Sequence, residues 1–166
     1  MSGGFSEFGA WETFSSFVNR AGFAWKNLLG QDKAEPWTPG ISFDNATTGI
    51  TYVASTSGNL VKVGRVVVAN YQIVLSSKGS ATGTARITGL PIAVGSANAS
   101  DTGMAVGYWG VLSIGVVYLS ARVVIGTTTA IIYGATAAAT SLSALDETYF
   151  SDDTVLHGSL IYYAER

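Results

Sequence analysis

Hydrophobic and polar residues alternate along the stretch from Arg65 to Pro91, which carries the strongest structural signal in the chain. The alternate positions of its first half are apolar: Val67, Ala69, Tyr71, Ile73 and Leu75. The intervening positions begin apolar with Val66 and Val68 and turn polar at Asn70 and Gln72. This period of two predicts a long strand with one buried face. Small polar residues at 76–83 interrupt it, and Ala85 and Ile87 resume it in a second strand.

Short apolar segments separated by turn signals fill the rest of the chain from residue 41 onwards. Strands are predicted at 41–43, 49–54, 59–63, 104–109, 112–118, 119–125, 130–133 and 154–163. Many short strands without intervening helices are typical of an antiparallel β-sandwich or barrel. The alternation after residue 103 predicts that Tyr108 faces the core and Trp109 the surface.

The same region contains an uncharged stretch, residues 102–121, that is long enough to span a membrane as a helix. Its apolar residues recur with a period of two, however, and glycine and serine recur between them. Strands are therefore predicted here, and we expect no membrane insertion.

The first thirty residues follow a different pattern, with apolar residues spaced three and four apart. This spacing predicts an amphipathic helix between Ser6 and Gly30, whose apolar stripe includes Phe8, Trp11, Val18, Trp25 and Leu28. Such a helix needs a surface to bury against. Three surfaces remain open at this point: its own β-domain, another protein or sister chains, and a membrane surface, which the scarcity of basic residues disfavours.

A charged segment with two prolines, around Pro36 and Pro39, separates the helix from the strands. Prolines stiffen a linker and disfavour helix in the residue before them. The predicted organisation is a helical segment at 1–35, a hinge at 36–40 and a β-domain at 41–166. Trp37 is expected to fold back onto the β-domain.

Composition adds three constraints. Only 12% of residues are charged and 48% are hydrophobic, so a monomer would have few charges to cover its surface, and large subunit interfaces are expected. The formal net charge of −2 argues against a nucleic-acid partner, since no basic patch is present. The chain has no cysteine, which excludes disulfides and cysteine-based metal sites.

Candidates for chemistry are few. His157 is the single histidine, and no serine lies in a nucleophile-elbow pattern, so neither a catalytic pair nor a conventional zinc set is indicated. The carboxylates Asp146, Glu147, Asp152 and Asp153 have three interpretations: a solvated loop, a calcium site, or a glycoside-hydrolysing pair. The solvated loop is favoured, and we expect a non-enzyme without a cofactor.

The run SSKGSATGTARITGLP, with GITYVASTSG upstream, resembles the C-terminal β-domains of bacteriophage tail-fibre and related virion-surface proteins. The resemblance covers roughly residues 37–166. It implies a jelly-roll-like antiparallel β-sandwich, association as a homotrimer, and a place in the virion after assembly in the cytoplasm of the host bacterium.

On this resemblance the helical segment is expected to anchor the chain to other virion proteins, through Phe8, Trp11, Val18, Trp25 and Leu28. Two roles stay open. One is a short tail fibre or fibre tip involved in host attachment. The other is a capsid head fibre, cement or decoration protein that stabilises the particle. Trp109 is the candidate contact for a host-surface glycan, although a core or trimer-interface position is favoured for it.

Overall fold

The computed structural model describes residues 34–96 and 103–165. Within these ranges the chain forms eleven strands and one 3-10 turn, Glu147–Tyr149. The strands are β1 (Glu35–Trp37), β2 (Gly40–Phe43), β3 (Ile50–Tyr52), β4 (Ser57–Val63), β5 (Val66–Lys78), β6 (Ala85–Thr88), β7 (Gly103–Leu112), β8 (Tyr118–Val123), β9 (Ala130–Ala135), β10 (Ser143–Ala144) and β11 (Phe150–Tyr163).

The strands pair in the order β1-β4-β5-β11-β7-β8-β9-β6-β2, with β10 added beside β9 and β3 beside β5. Every pairing between these strands is antiparallel. The prediction of a mainly β, antiparallel fold is therefore confirmed. The predicted N-terminal helix lies outside the described residues.

The two longest strands, β5 and β11, lie side by side and form the middle of this arrangement. The inner face of β5 is the one that the sequence predicts: Val67, Ala69, Tyr71, Ile73 and Leu75 are all buried. Ala85 and Ile87 of β6 are buried as well, as their alternation predicts. Each of these side chains is at most 4% exposed, so this face of both strands lies in the core.

One hydrophobic core joins strands that are distant in the pairing order. Phe43, from the end strand β2, packs against Phe150 of β11 with ring centroids 5.5 Å apart. The Tyr52 hydroxyl of β3 donates to the Ile41 carbonyl (3.2 Å) and accepts from the Ile41 backbone N–H (2.9 Å). The chain thus closes on itself, and its apolar inner surfaces share a single interior.

The predicted hinge at 36–40 is held by strand pairing at both ends. Pro36 and Trp37 belong to β1, which pairs with β4, and Gly40 begins β2, which pairs with β6. Trp37 is buried, and its indole Nε1 donates to the backbone carbonyl of Asn70 at 3.0 Å. The expected return of Trp37 onto the β-domain is confirmed. The division between anchor and β-domain stays a prediction, since residues 1–33 lie outside the described residues.

Two sequence-based expectations fail in β7 and the residues after it. His157 of β11 pairs with Tyr108 and Gly158 with Val106, so Gly107 is an extra residue that reverses which side chains face inwards. Consequently Tyr108 is 56% exposed, and Trp109 packs against the core. The strand predicted at 112–118 is also wrong, because β7 ends at Leu112 and bends connect it to β8.

Gly58 should tolerate no side chain, because Trp37 occupies the space above it. A Cβ built at Gly58 would meet the indole ring, with Nε1 only 2.4 Å away. Gly58→Ala is expected to displace Trp37 and lower the free energy of unfolding by about 2–3 kcal/mol in chemical denaturation. The control is Gly115→Ala, where no atom lies within 4 Å. Equal stability of the two variants would contradict this account of Trp37.

Two buried tyrosines of neighbouring strands should respond oppositely to loss of the hydroxyl. The Tyr71 hydroxyl has no hydrogen-bond partner among the described residues, whereas that of Tyr162 donates to the Ile92 carbonyl at 2.9 Å. Tyr71→Phe should leave the free energy of unfolding unchanged or raise it, because it removes a buried hydroxyl that makes no hydrogen bond. Tyr162→Phe should lower the free energy of unfolding by about 1 kcal/mol, because it breaks a hydrogen bond and leaves the Ile92 carbonyl without this donor. Denaturant titration of both variants measures the difference, and a larger loss for Tyr71→Phe would reverse the argument.

The same tyrosines should lower the stability of the fold at alkaline pH. Burial raises the pKa of Tyr71 above its ordinary value, and burial raises that of Tyr162 to about 12, against the smaller opposing effect of its bond to Ile92. Since both pKa values exceed the unfolded value of about 10, their contribution to stability is complete below pH 10 and is lost as the pH rises above it. Each Phe variant should flatten this fall.

Candidate interaction surfaces

The outward side of the three neighbouring strands β4, β5 and β11, taken to Ser76 on β5 and from Val155 on β11, forms a surface without a charged residue. We call it the outer face. The register aligns its side chains in rows across the three strands. Its members are Ser57, Asn59, Val61 and Val63 of β4; Val66, Val68, Asn70, Gln72, Val74 and Ser76 of β5; and Val155, His157, Ser159, Ile161 and Tyr163 of β11. The solvated face of a sheet usually carries charged side chains, so their absence here is informative.

One end of the outer face is apolar. Two rows cross it, Val63–Val66–Tyr163 and Val61–Val68–Ile161. Ile161 is 54% exposed, and Val63 and Tyr163 are about half exposed. Contiguous apolar side chains from three strands form a patch that is typical of an interaction site, in contrast to a single exposed valine.

The other end of the outer face is polar and hydrogen-bonded across the strands. In one row the Asn70 amide donates to Asn59 Oδ1 (3.3 Å), and the Ser159 hydroxyl donates to Asn70 Oδ1 (2.7 Å). The next row contains Gln72 between Ser57 and His157. A shallow groove of about 320 Å³ lies between β4 and β5 at these rows. Amide groups, which both donate and accept, dominate this half.

His157 lies in this polar half, and its ring packs against a neighbouring aromatic ring. It belongs to β11, as predicted, and its ring packs at 5.4 Å, centroid to centroid, against that of Tyr108 on β7. Tyr108 is the exposed aromatic side chain at the border of the outer face. By alternation the sequence placed Tyr108 on the core face and left Trp109 as the surface candidate, because the period of two carries no sign of the bulge at Gly107.

A second surface lies on β8 and β9. The Arg122 guanidinium donates to the Tyr133 hydroxyl (2.8 Å) and lies 5.1 Å from the centroid of the tyrosine ring. Leu142, from the connection between β9 and β10, completes a pocket of about 200 Å³. The pocket combines a cation, an aromatic ring and a loop side chain, which are groups that recognise ligands by charge and stacking.

The acidic side chains act as braces for the loop between β5 and β6. Asp152 accepts from the Lys78 backbone N–H (2.8 Å), and Glu147 accepts from that of Gly83 (2.7 Å). Asp44, which the sequence did not single out, accepts from Thr84 N–H at 3.1 Å. Asp146 caps the 3-10 turn by accepting from Thr148. Within residues 34–96 and 103–165 no group of three or more acidic or histidine side chains is arranged to hold a metal ion.

The remaining predicted site residues are distributed as follows. The anchor residues Phe8, Trp11, Val18, Trp25 and Leu28 lie outside the described residues. A glycan contact by Trp109 stays a prediction, at a side chain that is partly buried against the core. Among the described residues no helix has the length and hydropathy of a membrane span.

Comparison with known proteins identifies a fold and no family. No protein-family model matches the sequence, and no curated protein matches it. Among solved structures, the chain is similar to the Dettilon tailspike protein, with a TM-score of 0.63 and 14% sequence identity over 79% of this chain. The match spans 23% of the tailspike chain. The β-domain therefore shares its fold with part of a phage tailspike.

Removing the Asp152 brace should loosen the loop between β5 and β6. Asp152→Ala deletes the acceptor for the Lys78 N–H and is expected to cost about 1 kcal/mol, because a charged acceptor satisfies that amide. Faster protease cleavage within residues 76–84 would report the change. Asp153→Asn is the control, since asparagine tolerates the positive φ of 65° at that position. Equal cleavage of both variants would contradict the brace.

Proposed function

We propose that this chain is a bacteriophage virion structural protein, a trimeric short tail fibre or fibre tip that takes part in host attachment. The observation that carries the proposal is the fold shared with part of the Dettilon tailspike. The resemblance of residues 76–91 to phage fibre β-domains supports it independently, because it rests on sequence and not on shape. The jelly-roll-like sandwich, the homotrimer and attachment through residues 1–35 belong to this proposal.

The loops of the β-domain are the proposed receptor-binding elements. Loops on a rigid sheet can vary without disturbing the core. The connection that contains Leu142 borders the pocket of Arg122 and Tyr133, and this pocket offers a cation and an aromatic ring to a polar or anionic group of a host-surface glycan. Presenting one weak site three times in a trimer raises avidity without new contacts.

We propose a binding protein and not an enzyme. Three of the four carboxylates that sequence reasoning considered for hydrolysis accept from backbone amides: Asp152 from Lys78, Glu147 from Gly83 and Asp146 from Thr148. A hydrolytic carboxylate must instead reach a substrate bond or its attacking water. The same engagement supports a structural role of this loop over calcium binding.

Competition for host cells tests the proposal. Purified full-length protein, added in excess, should lower the adsorption of phage particles that carry it, because the soluble trimer occupies the same receptors. Arg122→Ala should weaken this competition at least about tenfold, equivalent to the loss of about 1.4 kcal/mol of binding free energy. The control is Lys62→Ala, which removes a cation from β4, whereas the pocket lies on β8 and β9. This variant should compete like the unaltered protein.

The alternative role on the capsid predicts the opposite results. A head fibre or decoration protein would not compete for host cells, and particles lacking it would lose infectivity faster on heating or in low salt. This pair of results would overturn the attachment role. In the same particles, deleting residues 1–33 should abolish incorporation if that segment is the anchor.

A further inference from the structure

We infer that the outer face of β4, β5 and β11 is the surface through which copies of this chain contact each other, with Asn70 and Gln72 of the central strand next to the symmetry axis. This inference rests on the proposed trimer and identifies the surface that forms it. Its starting point is that the outer face contains no Asp, Glu, Lys or Arg, although β5 and β11 carry Lys78, Asp152 and Asp153 at the end beyond it.

The absence of charge selects a second copy as the occupant. Around a rotation axis, each side chain near the axis meets the same side chain of its neighbours. A charged residue there would meet its own charge in a desolvated contact, and like-charge contacts destabilise an interface. A face built for a charged partner would instead carry complementary charges. The outer face of this chain has no charge that would repel its own copy, and it has no charges that would complement a charged partner.

The polar half of the face fits the same occupant. An amide presents a donor and an acceptor, so it can pair with its own copy, which a carboxylate cannot do. Gln72 is half-buried and its amide makes no hydrogen bond to the other described residues, although its neighbour Asn70 is bonded on both sides. A sister Gln72 would supply the partner that the single chain lacks.

The apolar half supplies the driving force. Val63, Val66, Ile161 and Tyr163 expose 36–54% of their surface, and they form one patch with Val61 and Val68. Burying such a patch is favourable in proportion to its apolar area. β5 has β4 on one side and β11 on the other, so its side chains occupy the middle of the face and would lie nearest the axis.

Two isosteric charge variants of the full-length protein test the inference. Gln72→Glu should reduce the mass in light scattering from three subunits to one at pH 7, because three carboxylates would meet at the axis. Asn45→Asp makes the same change of amide to carboxylate on an exposed turn outside the face and should remain trimeric. Ile161→Glu should dissociate the trimer through the apolar half.

Cross-linking gives a second measurement that does not depend on tolerating a charge. The chain has no cysteine, so a single introduced cysteine reports its own surroundings. Under oxidation Gln72→Cys should give a covalent dimer and leave one chain of each trimer uncrosslinked, while Asn45→Cys should stay monomeric on a denaturing gel.

The results separate this inference from the proposed function. A trimer in which Gln72→Cys stays uncrosslinked overturns the inference, whatever the charge variants do, and leaves the attachment role intact. An unaltered protein that is monomeric at micromolar concentration overturns both the trimer and the interface. Cross-linking together with dissociation of Gln72→Glu supports the assigned face.

Discussion

The pairing of β5 with β11 is the interaction on which the rest of the structure depends. The two strands are registered continuously from Val66 opposite Tyr163 to Val74 opposite Val155, although nearly the whole β-domain separates them in sequence. This ladder provides the floor of the core on one side and the outer face on the other. Forming this contact closes a long loop and lowers the conformational entropy of the chain. Burial of the apolar rows that the contact brings together must offset this loss.

The two sides of this ladder have different tasks. Inner residues such as Ala69 and Leu160 are fully buried, while the outer rows pass from apolar to hydrogen-bonded amides without a charge. Carboxylates appear where the ladder ends, and there they hold the backbone amides of the loop between β5 and β6. The ladder thus separates a packed interior from an uncharged outer surface, and the loop beside it is fixed by hydrogen bonds to its backbone.

The similarity to the Dettilon tailspike at 14% identity shows how loosely this fold constrains sequence. A sheet of this kind needs alternating apolar positions and suitable turns, and many sequences satisfy both. Loop residues are under no such requirement. Shared architecture therefore identifies no ligand, and the proposed recognition rests on this chain's own surfaces, such as the pocket of Arg122 and Tyr133.

The sequence alone determined the long strands and their buried faces, because a side chain's inward or outward direction follows directly from a period of two. The inner residues of β5 from Val67 to Leu75 are buried as the alternation predicts. It also displayed the polar and apolar halves of the other side of β5, in Val66, Val68, Asn70 and Gln72. It could not show that β4 and β11 extend these halves into a continuous surface, since strand order arises from long-range pairing.

Tertiary structure decided the details in which pairing overrides the local pattern. The bulge at Gly107 exchanged the faces of Tyr108 and Trp109, because an extra residue opposite His157 and Gly158 shifts the alternation by one. The role of Asp152 as a brace depends on Lys78, which is distant in sequence and adjacent only in the fold. The sequence placed Trp37 on the β-domain but could not give its position, which depends on the space that Gly58 leaves for the ring on the neighbouring strand.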